Sequence, residues 1–112
     1  MPLIIREPAT PAQVESMGQA FDGVLTKLAV DVGRGILAGG GGLHADCEEA
    51  LLEDGSRQED VWGADWYPGE CRVAFDSIIN IRPRQRNFGT EIEDPALRAR
   101  IEAVVRRLLG VP

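Results

Sequence analysis

LHADCEEALLEDG, residues 43–55, follows four glycines at 39–42, and its conformation decides the fold. At a period of 3.6 it places Leu43, Cys47, Ala50 and Leu51 on one helical face. At a period of two it places His44, Asp46 and Glu48 on one face of a strand and Leu43, Ala45 and Cys47 on the other. Both patterns separate polar from apolar side chains. Asp54-Gly55 is a hairpin-turn dipeptide and a strand-like stretch follows it, which favours a strand over 43–53, irregular near Glu49. The glycines fit neither GxxxxGK[ST] nor GxGxxG, so they read as a mobile or tight connection rather than a phosphate cradle.

Towards the C-terminus, EDVWGADWY (59–67) alternates Trp62, Ala64 and Trp66 with Val61, Gly63 and Asp65, and Pro68-Gly69 turns the chain. CRVAFDSIINIR (71–82) alternates in the same way, with Val73, Phe75, Ser77, Ile79 and Ile81 on one face, until Pro83. RPRQRNFGTEI reads as a loop. Asp94 then caps a helix with Pro95 in its first position, an apolar face of Leu97, Ile101, Val104, Val105 and Leu108, and Gly110 at its end. Towards the N-terminus, VLTKLAVDV (24–32) has strand alternation, DVGRG makes a tight turn and ILA supplies the partner strand. Before it, Thr10, Pro11 and Gln13 form a capping-box start for a helix bearing Val14, Met17 and Phe21. LII (3–5), bracketed by Pro2 and Pro8, is a short edge strand. The expected architecture is α+β: one domain over 1–112, with a mostly antiparallel sheet of four to five strands packed against two helices as a two-layer sandwich.

Composition narrows the function classes. With 44% hydrophobic and 27% charged residues the chain belongs with folded globular domains, and a net charge of -6 disfavours nucleic acid and anionic lipid as partners. No apolar run approaches the roughly 20 residues of a membrane span and the N-terminus lacks a signal-peptide pattern, so a soluble cytoplasmic protein is expected. Cys47 and Cys71 lack CxxC spacing and are expected reduced and at least partly buried.

His44, Asp46 and Glu48, side by side on a strand, would offer one imidazole and two carboxylates to a divalent metal, the one cofactor the sequence suggests. His44 with Asp46 would also suit acid/base catalysis. Arg82, Arg84 and Arg86 cluster in RPRQRN, where guanidinium forks could hold an anionic ligand; Asn80 and Asn87 flank them. Trp62 and Trp66 are core residues or, if exposed, a partner surface.

GGLHADCEEALLEDGSRQEDVWG, FDSIINIRPRQRN and IEDPALRARI together resemble a small bacterial family of unknown function, through the HAD, DGS, WG and INIRP stretches. The resemblance covers nearly the whole chain and marks His44, Asp46, Ser56, Gln58, Trp62, Asn80, Arg82 and Asn87 without implying a catalytic role. It also implies a glycine-containing form of RPRQRN, in which Arg86 stands where a smaller residue is expected. A meander of strands 43–53, 57–67 and 72–82 would bring His44 and Asp46 to Asn80 and Arg82 at one end of the sheet. The leading expectation is a small binding or regulatory module, homo-oligomeric, recognising a protein or an anionic small molecule. The alternative is a metal-assisted or acid/base enzyme, such as a hydrolase, using His44, Asp46 and Glu48.

Overall fold

Thr10 opens the first helix with the reciprocal bonds of a capping box: its Oγ1 accepts from Gln13 N at 3.2 Å, and Gln13 Oε1 accepts from Thr10 N at 2.9 Å. The computed structural model in which this is seen describes residues 2–110. After strand β1 (Leu3–Ile5) come helix α1 (Pro11–Gly18), strands β2 (Thr26–Asp31) and β3 (Ile36–Gly39), and helix α2 (His44–Glu53). Strands β4 (Val61–Tyr67) and β5 (Arg72–Ala74) and helix α3 (Pro95–Leu109) complete the order. The five strands form one antiparallel sheet in the order β1-β3-β2-β4-β5.

The strand periodicity sorts side chains onto the two faces of this sheet. Leu28, Val30, Leu37, Trp62, Ala64 and Trp66 share one core with Met17 of α1 and Ile101, Val105 and Leu108 of α3. This is the α+β arrangement that the alternation and the two capped helices imply. Trp62 and Trp66 are only 3% and 2% exposed, so they are core residues and form no partner surface. At the end of β3 the glycine run makes a tight connection. A Cβ at Gly39 would lie 2.9 Å from Met17 Sδ, and Gly40, at φ +100°, packs against the Met17 backbone.

The opposite face carries Ala29, Ile36, Ala38 and Val61, buried beneath Cys47 and Leu51. Residues 43–53 are therefore not a strand. They form α2, whose Cys47 and Leu51, four residues apart, point the same way onto small side chains of the sheet. Both periodicities gave this segment an apolar face. A strand would need an edge of the sheet to pair with, whereas β4 already lies between β2 and β5. The helix covers a face that would otherwise leave Ala29, Ala38 and Val61 in water.

The strand expected over 72–82 is also shorter: β5 ends at Ala74, and 3-10 turns follow at Ile78–Asn80 and Pro83–Gln85. The meander of 43–53, 57–67 and 72–82 does not exist. Of the two free cysteines, Cys47 is buried as expected and Cys71 is exposed. Among the described residues no helix is long and apolar enough to cross a membrane.

Candidate functional site

The helical conformation of 44–53 rearranges the H-x-D-x-E set. His44 and Glu48 lie one turn apart on the side of α2 that meets the rest of the fold, whereas Asp46 is exposed beside Gly41. His44 Nε2 lies 2.8 Å from Asp65 Oδ1 and 3.2 Å from Ala64 O. Glu48 Oε2 accepts from Arg82 Nη2 at 3.1 Å. The three residues do not converge on a common point, and among the described residues no three His, Cys, Asp or Glu side chains are grouped to hold a metal ion.

Because a carboxylate and a carbonyl only accept hydrogen bonds, His44 Nε2 carries the proton that both share. The imidazole is thereby oriented from β4, and Nδ1 is the free nitrogen. His44 lines a cleft of about 460 Å³ together with Lys27, Leu43, Asp65, Asp76, Ile78 and Ile79. Lys27 and Asp65 are cross-strand neighbours in the β2–β4 register. Asp65 is not among the residues that the sequence motifs mark. Its signal was there: one carboxylate inside VWGADWY, on the strand parity opposite to the tryptophans.

Asn80, Arg82 and Asn87 are brought together, but each faces inward. Asn80 is fully buried, its Oδ1 accepting from Gly63 N at 2.8 Å and its Nδ2 donating to Gly63 O at 3.0 Å. The side chain thus satisfies the main chain of β4 beyond the point where β5 has ended. The chain approaches β4 so closely here that only glycine fits at 63: a Cβ would lie 2.5 Å from Ser77 Cβ. Asn87 Nδ2 donates to Asn80 O at 2.8 Å and Glu91 O at 2.9 Å, while its Oδ1 accepts from Glu93 N at 2.9 Å.

The Arg82 guanidinium lies 4.4 Å over the Trp62 ring and donates to Ile79 O, Gln58 O, Val61 O and Glu48. Burial pushes the Glu48 carboxyl above its ordinary range, with Arg82 opposing that shift, and burial lowers the Arg82 guanidinium. Desolvation outweighs attraction for both partners, as expected where an ion pair is taken out of water. Of the other residues marked by the motifs, Ser56 Oγ accepts from Arg34 Nη1 at 2.9 Å.

RPRQRN itself is a tight hairpin. Arg82 N donates to Asn87 O at 2.7 Å and Asn87 N to Arg82 O at 3.1 Å, so the four residues between them must reverse the chain. Arg86 makes the last step at φ 61°, in the left-handed region where glycine is at ease. Arg84 and Arg86, both exposed, have no carboxylate within ion-pairing distance among the described residues. Beside them on the same segment, Phe88 is 66% and Ile81 45% exposed.

These features define an α+β domain in which a helix and a non-repetitive segment are joined to one sheet face by buried polar side chains. The chain belongs to the family described as "Protein of unknown function (DUF5674)", which matches residues 3–108. No curated protein and no solved structure matches it.

Proposed function

We propose that this single domain is a binding module that recognises a partner protein with an acidic contact surface, through the tip of the segment between β5 and α3. The observation that carries the reading is the contrast within that segment. Asn80, Arg82 and Asn87 fasten it from inside, while Arg84 and Arg86, with no carboxylate within ion-pairing distance among the described residues, are exposed on the same segment as Ile81 and Phe88. A surface held rigid before contact loses little conformational entropy on binding, and arginine with an aromatic neighbour is a favoured interface combination. Arg84 thus keeps its place as a ligand contact, whereas Asn80, Arg82 and Asn87 support the site from beneath. An anionic small molecule in the open cleft of about 580 Å³ lined by Gln58, Glu59, Arg82, Arg84 and Gln85 would leave exposed Ile81, Arg86 and Phe88 uncovered.

The setting that suits this reading is the bacterial cytoplasm, where two free thiols persist. Homo-oligomerisation is part of the reading, and sedimentation velocity of the purified chain tests it. The main test is a photo-crosslinking residue at position 88 in cells. A discrete adduct that vanishes when Arg84→Glu and Arg86→Glu are introduced supports the module. Absence of any adduct at 88, with a crosslinker at exposed Ala103 giving the same background, would refute it.

A second reading, an acid/base enzyme, is favoured by the 2.8 Å His44–Asp65 contact, which orients an imidazole with one nitrogen free. In that reading Asp65 takes the orienting role expected of Asp46.

A further inference from the structure

We propose that Asp31 and Asp60 hold a hydrated divalent cation of the Mg²⁺ type beside Gly33, at the turn between β2 and β3. The site is separate from the hairpin tip and does not depend on the partner surface proposed there.

Asp31, the last residue of β2, is 0% exposed. Its Oδ1 accepts from Gly33 N and Arg34 N, both at 2.9 Å, whereas its Oδ2 is buried with no hydrogen-bond partner. A carboxylate oxygen taken out of water without a donor or a cation is costly, so an unpaired one calls for a ligand. A second carboxylate stands beside it. Asp60 is fixed through its main chain: its O accepts from Val32 N at 3.0 Å and its N donates to Arg57 O at 2.9 Å. The position that a Cβ would take at Gly33 lies 3.0 Å from Asp60 Oδ2 and 3.4 Å from Asp31 Oδ1, so both carboxylates border one point. Gly35 in the same turn has φ +69°, but Gly33 is not in the left-handed region, and the backbone there does not call for glycine. What the missing side chain does at 33 is keep the space between the two carboxylates open.

No side chain neutralises the pair. Among the described residues neither Asp31 nor Asp60 has a cationic group within ion-pairing distance. The arginines around the turn are engaged elsewhere: Arg34 with Asp54 and Ser56, Arg57 with Glu59, Arg100 with Val32 O and Arg107 with Gly35 O. The donors on offer are carboxylate oxygens only, which suit a hard cation rather than a thiophilic one. Two carboxylates do not complete a shell by themselves, but Mg²⁺ keeps several of its waters and is commonly held by one or two carboxylates. Gly33 is exposed, so the open point has access to water and to the ion.

The test follows the amide NMR signals of isotope-labelled protein during titration with MgCl₂, with NaCl at matched ionic strength as the control. The expected result is saturable movement of the Gly33, Arg34 and Asp60 signals at a Kd no weaker than about 1 mM. MnCl₂, at a small fraction of one equivalent, should broaden the same three signals before any others. Gly33→Ala places a methyl group at the shared point, and Asp60→Asn removes one charge while keeping the shape of the side chain and its main-chain bonds. Each should weaken Mg²⁺ by at least about tenfold and leave the rest of the spectrum in place. Stationary signals at about 10 mM MgCl₂, the outcome if the two carboxyls share a proton or a water instead, would overturn the proposal. So would Mn²⁺ broadening spread over the acidic surface at large, or an Asp60→Asn variant that binds Mg²⁺ unchanged.

Discussion

Replacing Gly63 by alanine tests how closely the segment bearing Ser77 approaches β4. The added Cβ would lie 2.5 Å from Ser77 Cβ, 2.6 Å from Ser77 Oγ and 3.0 Å from Ile79 Cγ1. Carbon atoms are at ease near 3.5–4.0 Å, so the segment bearing Ser77 must retreat from β4 by about 1 Å. That retreat stretches the two bonds by which Asn80 holds Gly63, now 2.8 and 3.0 Å. Overpacking costs about 1–3 kcal/mol. Two weakened buried hydrogen bonds add about 1 kcal/mol each, giving a loss of about 3–5 kcal/mol. In urea, with a slope of about 1–3 kcal/mol per molar for a small protein, the midpoint should fall by more than about 1 M. The double variant Gly63→Ala, Ser77→Gly removes both of the nearest atoms, and it should recover at least about 1 kcal/mol relative to the sum of the single changes. A midpoint shift below about 0.3 M for Gly63→Ala, or strict additivity in the double variant, would show that the 77–80 segment does not pack on β4 as described.

Three further outcomes follow from the same geometry. Arg86→Gly relieves a left-handed backbone and should stabilise the protein by about 0.5–1 kcal/mol in the same urea assay, after the extra chain entropy of glycine is counted. Two carboxylates should give opposite pH signatures when each variant is compared with the parent across acidic pH. Hydrogen bonds from Arg6 and Arg34 hold the Asp54 carboxyl below its ordinary range, so the stability it contributes is present above the unfolded pKa and is lost as pH falls through the folded one. The deficit of Asp54→Asn should therefore shrink on acidification. Burial raises the Glu48 carboxyl, so the folded state takes up its proton first, and the parent should gain on Glu48→Gln as pH falls through the raised value towards the ordinary one. Finally, a thiol reagent should label one cysteine quickly, the exposed Cys71. Cys47, buried under α2 with its thiol pushed up by desolvation, should react only on unfolding. Two fast thiols in the native protein would contradict the docking of α2.

What could be read along the chain was whatever depended on near neighbours. The capping box at Thr10 and Gln13, the Asp94-Pro95 start of α3 and the alternation around the β2–β3 hairpin are local patterns, and each element formed where they place it. The tryptophans of VWGADWY carried their parity into the core. His44, Glu48 and Arg82 were visible as side chains with something to do, but their partners were not. Asp65 lies 21 residues from His44, and Arg82 lies 34 from Glu48, with no pattern in the chain to couple either pair.

Two questions were left to the tertiary structure. The first was the conformation of 43–53, where helix and strand each produced an apolar face. It was resolved by a demand from elsewhere, the uncovered Ala29, Ala38 and Val61, onto which only a helix could set Cys47 and Leu51. The second was the end of β5. CRVAFDSIINIR alternates as a strand should, yet Ile78 is 78% exposed and Asn80 fully buried. The side-chain amide of Asn80 takes the hydrogen bonds at Gly63 that a continuing strand would have made, so the backbone was free to turn away. The sequence by itself determined which segments were amphipathic and where the capped helices α1 and α3 began, because caps, turns and periodicity act within a few residues. Which face met which, and which polar groups became partners, was decided only in the folded chain, where the backbone and side-chain groups removed from water had to find one another across the sheet.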